Sequence, residues 1–144
     1  WCHFDHDASI IVDLGKSRPV DKVSVGCLTN YGMAFNKPGA ITVSVSQDGS
    51  SYTPVGQRRW TKNEIFCEGN FREDIAFTFS PVPVRYVRIQ AERPGLCPEG
   101  HIRSGQMSKY CFDEIEVSPP MSAQARLARQ SQKNLIRWAT TGGM

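Results

Sequence analysis

The segment GLCPEGH, residues 95–101, places a thiol, a carboxylate and an imidazole close together in the chain. Side chains of these three types ligate metals or carry out nucleophilic and acid/base chemistry. A second segment, WCHFDHD at residues 1–7, adds one cysteine, two histidines and two aspartates. Both segments are therefore candidates for a reaction centre, and the choice between chemistry and structure depends on the elements that position them.

Neither segment has the spacing that such chemistry requires. Neighbouring residues of an extended segment point to opposite faces, and the three histidines do not form an H-E-x-x-H motif. A Cys97–His101 pair would need an orienting third group and an oxyanion hole, and the sequence indicates neither. Nothing singles out a glycosidase pair among the 14 acidic residues. We therefore expect no enzyme activity and interpret GLCPEGH as a structured loop whose turns are set by Gly95, Pro98 and Gly100.

Length, cysteine usage and hydropathy restrict the class of protein. A chain of 144 residues fits one domain with a single core. Its five cysteines include no Cys-x-x-Cys pair, so neither a zinc ribbon nor a disulfide framework is indicated, and we expect free, mostly buried thiols. The sequence has neither an apolar run of about 18 residues nor a secretion signal. It therefore predicts no membrane span, and composition alone does not assign a compartment.

The positive charge is confined to the C-terminal part of the chain. Residues 1–118 carry 13 Lys and Arg against 14 Asp and Glu, whereas residues 119–144 carry four basic residues and no acid. A nucleic-acid-binding domain shows a basic stripe with interleaved aromatic residues across its folded face. Because residues 1–118 show no such stripe, we expect no nucleic-acid partner.

Apolar and polar residues alternate along most of residues 9–117, which is typical of half-buried strands. Seven segments show this pattern: SIIVDLG, KVSVGCL, ITVSVSQ, YTPVG, IAFTF, YVRIQA and CFDEIEV. Asp48-Gly49 between the third and the fourth predicts a hairpin. Since no long segment of helical period separates these strands, the pattern favours an all-β, antiparallel β-sandwich.

Three long irregular stretches, residues 29–39, 58–72 and 93–110, connect the predicted strands. Long loops in compact domains commonly carry function, and loops of a sandwich cluster at its ends. Aromatic rings beside planar hydrogen-bonding groups suit sugars, whose C–H faces stack on rings. If these loops converge, the candidate ligand-binding residues are Tyr31, Phe35, Asn36, Arg59, Trp60, His101, Arg103 and Tyr110. Two alternatives stay open: the aromatic residues form small cores that pin the loops, and His101 satisfies groups of its own loop instead of a sugar hydroxyl.

Four segments in order resemble a known family: IIVDLGKSRPVDKVSVG, PGAITVSVSQDGSSYTPVG, VRYVRIQAE and FDEIEV. They resemble the discoidin, or coagulation-factor type C, domain with a galactose-binding-like jelly-roll fold, which includes carbohydrate-binding module family 32. The segment CPEGH, between RYVRIQAERPGL and DEIEV, is similar to the C-terminal module of bacterial family 20 glycoside hydrolases, the β-N-acetylhexosaminidases. The resemblance covers residues 1–118.

The resemblance implies a non-catalytic, carbohydrate-binding accessory module of a glycoside hydrolase, with catalysis in a separate domain. The implied partners are glycans, with terminal galactose or N-acetylhexosamine as candidates, and the parent catalytic domain. The implied location is periplasmic, at the cell surface or secreted. An alternative from another class stays open: a structural or protein-interaction sandwich that packs against its parent enzyme and binds no sugar.

The resemblance also implies a structural calcium ion. In the family this ion is often held by carbonyls and an aspartate of an N-terminal portion, together with the glutamate of the last strand, which corresponds to Glu114. The chain opens at WCHF, which resembles the family's W-x-G-F segment before the first VDLG-type strand, so we expect that the preceding portion is missing. Glu114 is thus the one candidate metal ligand, and a solvent-facing strand residue is the alternative.

Residues 119–144 differ in composition from the rest of the chain. Pro119 and Pro120 end the last predicted strand, Ser122 can cap a helix, and residues 123–138 are rich in helix formers. A basic amphipathic helix can lie on a membrane or dock on a partner. Because its apolar face is sparse, we expect a C-terminal helical extension without a membrane partner.

Overall fold

The computed structural model describes residues 2–120, and within this range it is mostly antiparallel β-sheet. Six strands carry the fold: β1 Cys2–Phe4, β2 Ala8–Asn30, β3 Ala40–Ser46, β4 Thr53–Arg59, β5 Asn70–Glu92 and β6 Tyr110–Ser118. A 3-10 helix, Tyr31–Met33, follows β2, and one short α-helix, α1 Lys62–Ile65, follows β4. The predicted helix at residues 123–138 lies outside the described residues. Within those residues, no helix is long and apolar enough to cross a membrane.

Two of the six strands are long and bent, and each joins two of the seven predicted strands, while β1 is a strand that was not predicted. Strand β2 joins SIIVDLG to KVSVGCL, and β5 joins IAFTF to YVRIQA. The β2–β5 register shifts between Asp13 and Arg18, where Gly15 adopts a positive φ of 85°. Glycine has no Cβ and adopts this left-handed conformation without strain. The bend therefore lets one strand contribute to two layers.

The sheet order β1-β6-β2-β5-β3-β4 curls into these two layers. Residues 22–30 of β2 pair with residues 70–78 of β5 and with β6, whereas residues 8–13 of β2 pair with residues 86–91 of β5, whose other edge pairs with β3. One hydrophobic core joins both layers, since it contains Val23, Val25 and Ile75 as well as Ile41 and Val87. The predicted antiparallel β-sandwich is thereby confirmed.

The alternation within β3 shows how the sequence directs the core. Ile41, Val43 and Val45 are buried and belong to the core, as the period of two predicts. The predicted hairpin follows, with Gly49 at a positive φ of 80°. The Asp48 carboxylate accepts backbone hydrogen bonds from Ser50 at 2.8 Å and Ser51 at 2.9 Å, so it fixes the turn.

Candidate functional site

The three long irregular stretches meet at one end of the sandwich, around a segment formed by residues 31–39. Asn36 donates its backbone N–H to the Lys109 carbonyl at 2.8 Å, and Lys37 donates to the Ile65 carbonyl at 3.3 Å. Tyr31 donates its backbone N–H to the Gly69 carbonyl at 3.0 Å. Backbone hydrogen bonds therefore hold the other two loops directly against the 31–39 segment.

The 95–109 loop, which contains GLCPEGH, is closed by its own hydrogen bonds. Cys97 donates to the Gln106 carbonyl at 2.8 Å, and Gly105 donates to the Cys97 carbonyl at 2.9 Å. Gly95 and Gly100 have positive φ angles of 93° and 92°, which residues with a Cβ rarely adopt. Burial raises the pKa of the Cys97 thiol, which opposes a role as a nucleophile. The segment GLCPEGH is thus a structured loop, as its Gly95, Pro98 and Gly100 residues predict.

A capping box defines the second loop. Thr61 Oγ1 accepts from the Glu64 N–H at 3.3 Å, and the Glu64 carboxylate accepts from the Thr61 N–H at 2.9 Å, which starts α1. Ile65 on α1 is buried in the core, while Lys62 and Asn63 stay exposed. The short helix therefore directs two polar side chains outward at the end where the loops meet.

All three loops contribute to one groove of about 460 Å³. We call it the loop groove; it is lined by Tyr31, Lys62, Asn63, Phe66, Pro98, Glu99, Gly100 and His101. It combines two partly buried aromatic rings with an amide and one charged group of each sign. Such a mixture suits a ligand that offers both C–H faces and hydroxyl groups.

Tyr31 and His101 form the inner wall of the loop groove. Their ring centroids lie 4.0 Å apart, and the Phe66 ring approaches His101 edge-on at 6.1 Å. His101 is 6% exposed, and its Nε2 atom is buried without a hydrogen-bond partner. Burial and, to a smaller extent, the nearby Arg103 charge lower the pKa of His101. Both causes favour the neutral imidazole over the protonated one.

Arg103 braces the loop groove from outside its lining. Its Nε donates to the Gly32 carbonyl at 2.7 Å, and the neighbouring Ile102 N–H donates to Tyr31 Oη at 3.3 Å. Of the eight predicted ligand residues, Tyr31 and His101 line the groove and Arg103 adjoins it.

Three of the predicted ligand-binding rings lie in the protein interior, so their assignment to the ligand site is corrected to the alternative, in which aromatic residues form small cores that pin the loops. Phe35 is 7% exposed, Trp60 5% and Tyr110 0%; Trp60 and Tyr110 belong to the main core. Tyr110 also donates its hydroxyl to the His6 carbonyl at 2.6 Å. The physical reason is that the loops fold back over the ends of the sheets, and large rings then fill the space beneath them.

Two predicted polar residues have structural partners elsewhere. Asn36 is fully buried, and its Nδ2 donates to Ser108 Oγ at 2.7 Å. Arg59 makes a bidentate ion pair with Glu92, with both N–O distances at 2.9 Å, and neither residue lines the groove. Both side chains therefore hold the scaffold together at this end of the molecule.

Most of the loop-groove lining was not predicted from the sequence. The missing part is contributed by residues 62–66 and 98–100. The motif TKNE, residues 61–64, was the available signal, because Thr followed three residues later by Glu indicates a capping box. Such a box would have placed Lys62 and Asn63 in the exposed first turn of a helix.

Glu114 is partly buried on β6 and has an arginine neighbour. Its Oε2 is 3.5 Å from Arg72 Nη2, and Arg72 also pairs with Asp74 and Asp113. Residues 2–120 contain no group of three His, Cys, Asp or Glu side chains placed to hold a metal ion. The positive charge of Arg72 already compensates the negative charge of these carboxylates. These side chains therefore do not by themselves fit a calcium ion. Calcium binding at Glu114 stays a prediction of the resemblance.

A second groove, of about 400 Å³, lies at the β3–β4 hairpin. Its lining is mainly aliphatic and small polar, with Val45, Val55, Val82 and Pro83 among its residues. The paired ring and amide groups that suit a sugar are found at the loop groove instead.

The described residues form a two-layer β-sandwich with a groove at the end where its loops meet. Residues 1–101 match the F5/8 type C domain, and the chain belongs to this family. A search of curated protein sequences gave no match.

Solved structures with a similar fold include modules of carbohydrate-active enzymes. One is a family 32 carbohydrate-binding module from a family 31 glycoside hydrolase of Clostridium perfringens, with 17% identity and a TM-score of 0.53 over 80% of this chain and 73% of that one. Another is a Ruminococcus gnavus GH29 fucosidase, with 14% identity and a TM-score of 0.52 over 81% of this chain but 19% of that enzyme. A chitosan-binding module from a Paenibacillus chitosanase/glucanase has 21% identity and a TM-score of 0.49, covering 78% of this chain and 68% of that module. At 17% and 14% identity, the likeness to the first two of these structures shows a shared fold.

Proposed function

We propose that this domain is a non-catalytic carbohydrate-binding accessory module of a glycoside hydrolase, and that the loop groove binds the glycan. The observation that carries the proposal is the wall formed by Tyr31 and His101: a partly exposed ring next to a buried imidazole nitrogen without a partner. Buried polar groups are almost always paired, so a sugar hydroxyl that reaches this nitrogen would supply a partner that the described protein groups do not. Carbohydrate-binding modules among the proteins of similar fold support the same function.

The proposed ligands are glycans that end in galactose or N-acetylhexosamine. A pyranose offers C–H groups to the Tyr31 ring and hydroxyl groups to Asn63 and Glu99, all of which line the groove. A shallow groove exchanges water hydrogen bonds for sugar hydrogen bonds, at about 1 kcal/mol net each, so we expect dissociation constants roughly between tens of micromolar and millimolar.

We also propose that the parent enzyme is a β-N-acetylhexosaminidase in the periplasm, at the cell surface or secreted. The support is the CPEGH segment in its context before DEIEV. Catalysis would then belong to the parent's separate domain. The isolated chain should show no turnover of chromogenic N-acetylhexosaminides; turnover abolished by replacing one carboxylate of this chain would contradict the assignment.

A glycan-array screen with the purified chain, followed by calorimetric titration of each hit, tests the binding function. Tyr31→Ala should weaken binding by about tenfold, because it removes a stacking partner worth about 0.5–1.5 kcal/mol and the hydrogen bond to Ile102. Tyr31→Phe is the matched control, since it keeps the ring and should retain most of the affinity. Equal affinities for wild type and Tyr31→Ala would place the glycan elsewhere.

The second candidate function is a structural sandwich that packs against its parent enzyme without binding sugar. The burial of Phe35, Trp60 and Tyr110 favours it, because these rings stabilise the loops instead of facing a ligand. An empty glycan array, combined with stable association between this chain and its parent catalytic domain, would support this candidate over the first.

A further inference from the structure

His101 makes a hydrogen bond that depends on its protonation state. The backbone N–H of Arg103 donates to His101 Nδ1 at 2.9 Å. A backbone amide is always a donor, so Nδ1 must carry a lone pair, and the neutral ring must carry its proton on Nε2. Protonation of the ring would place a second donor opposite the Arg103 N–H and eliminate the bond.

This bond lies at the base of the turn that meets Tyr31. His101 donates its backbone N–H to the Pro98 carbonyl at 3.1 Å, and its own carbonyl accepts from Ser104 at 3.0 Å. From the same turn, Ile102 and Arg103 make the hydrogen bonds to Tyr31 Oη and the Gly32 carbonyl described above. The turn formed by residues 98–104 is therefore joined to the 3-10 helix through residues next to His101.

Burial and the positive charge of Arg103 oppose the protonation of His101. On its own loop, the positive charge of Arg103 acts on the imidazole, and Glu99 lines the same groove. Helix α1 contributes Lys62 to the groove. The ring of Tyr31, in the 3-10 helix, and the ring of Phe66, at the C-terminal end of α1, contact His101. Burial is the largest cause of the lowered pKa, and Arg103 is the second.

We propose that His101 is the positioning residue of the loop groove: its neutral Nε2–H form holds the 98–104 turn against Tyr31, and protonation releases this turn and the ligand. The proposal rests on the proposed function only in that the groove is the glycan site. It assigns a regulation to that site, namely binding at neutral pH and release on acidification.

The sign of the pH dependence follows from the lowered pKa. The clasped 98–104 turn disfavours the protonated ring. The stabilisation of this turn by His101 is therefore fully present above the ordinary histidine pKa of 6.5 and decreases as the pH falls below that value. Coupling to one proton gives a loss of affinity of up to about tenfold for each pH unit between 6.5 and the lowered pKa of His101 in the clasped turn.

The first arm of the test uses the full chain without any glycan. Two-dimensional ¹H–¹⁵N NMR of the imidazole rings should show His101 with Nε2 protonated and Nδ1 unprotonated at pH 7.5. The Arg103 amide signal should move with the His101 titration as the pH is lowered to 5.0. A proton on Nδ1 at pH 7.5, or an Arg103 amide that ignores the titration, overturns the proposal even if no glycan is known.

The second arm measures glycan affinity at pH 7.5 and 5.0 for wild type and two variants. In His101→Asn, Oδ1 stands at the same bond separation from Cβ as Nδ1, so it can accept from Arg103 but cannot titrate. We expect this variant to bind with nearly the same affinity at both pH values. His101→Leu lacks the acceptor, and we expect weak binding at both. His3→Asn and His6→Asn are the controls and should keep the wild-type profile.

The two arms separate failure of this inference from failure of the proposed function. If His101→Asn loses affinity at pH 5.0 as strongly as wild type, the positioning role is wrong while glycan binding stands. If no glycan binds at any pH but the Arg103 amide follows His101, glycan binding is wrong while the pH-sensitive clasp stands.

Discussion

Trp60→Ala should lower the stability of the domain and leave the loop groove able to bind. The indole is 5% exposed and is part of the main core, and the Arg58 guanidinium lies 5.1 Å from the ring centroid. Replacing a buried Trp or Phe with alanine typically costs about 3–5 kcal/mol through lost burial and the remaining cavity. Small domains have about 5–15 kcal/mol of stability in total, so the folded state should survive with a reduced margin.

Urea unfolding followed by circular dichroism measures this change. For an m-value of about 2 kcal/mol/M, the expected cost moves the midpoint down by about 1.5–2.5 M. Trp60→Phe is the matched variant. Its urea midpoint should lie between those of wild type and Trp60→Ala because it retains a ring. Tyr31→Ala supplies the opposite pattern, since a partly exposed ring at the groove should affect binding more than unfolding.

Glycan titration under conditions where the variant is fully folded completes the experiment. We expect Trp60→Ala to bind within about twofold of wild type, since the indole does not line the loop groove. A variant that unfolds at the wild-type midpoint but binds glycan tenfold more weakly would refute the reasoning. It would show that Trp60 faces the ligand and not the core.

Three further predictions concern the hairpin, the thiols and the groove. Backbone hydrogen bonds in the turn lower the pKa of Asp48. The stabilisation of the domain by this carboxylate is therefore present above the unfolded pKa of 3.8 and is lost as the pH falls through the folded pKa. The urea midpoints of wild type and Asp48→Ala should converge at strongly acidic pH. Cys67 is partly exposed, whereas Cys27, Cys97 and Cys111 are buried, and mass spectrometry should find Cys67 alkylated first of these four in the native protein. Lys62 and Glu99 line the groove with opposite charges. Glu99→Gln should raise the affinity for oligogalacturonate relative to neutral glycans, and Lys62→Gln should lower it. If the ratio of these two affinities is unchanged in both variants, the two side chains have no role in charge selectivity.

The alternation of apolar and polar residues was sufficient to predict the sandwich, but it could not predict the continuity of the long strands. SIIVDLG and KVSVGCL were assigned as separate strands because Gly15, Lys16 and Ser17 interrupt the pattern. In the structure Gly15 bends the chain, and pairing with β5 resumes at Arg18. Strand continuity depends on a partner strand far away in the sequence, and local propensity contains no information about that partner.

The candidate site was predictable in its location but less so in its residues. All three loops join strand ends at the same end of the sandwich, so their convergence follows from the topology. Which rings face solvent depends on how each loop folds back. Tyr31 follows β2 in a 3-10 helix and stays partly exposed, whereas Trp60 lies under the loops and Tyr110 starts β6 within the core. A ring in a predicted loop is therefore not evidence of an exposed ring.

The loop groove is held in shape before any ligand arrives. The Asn36 side chain donates to Ser108, its backbone donates to Lys109, and the Cys97–Gln106 hydrogen bond closes the 95–109 loop from within. Each of these buried hydrogen bonds contributes about 1 kcal/mol net, and leaving any partner unpaired would cost more. Because the loops are already ordered, binding does not require loss of their conformational entropy, and a shallow groove can still reach measurable affinity. The His101–Arg103 bond is a further hydrogen bond of these loops, one that protonation of His101 removes, and it adjoins the Tyr31 ring expected to contact the sugar.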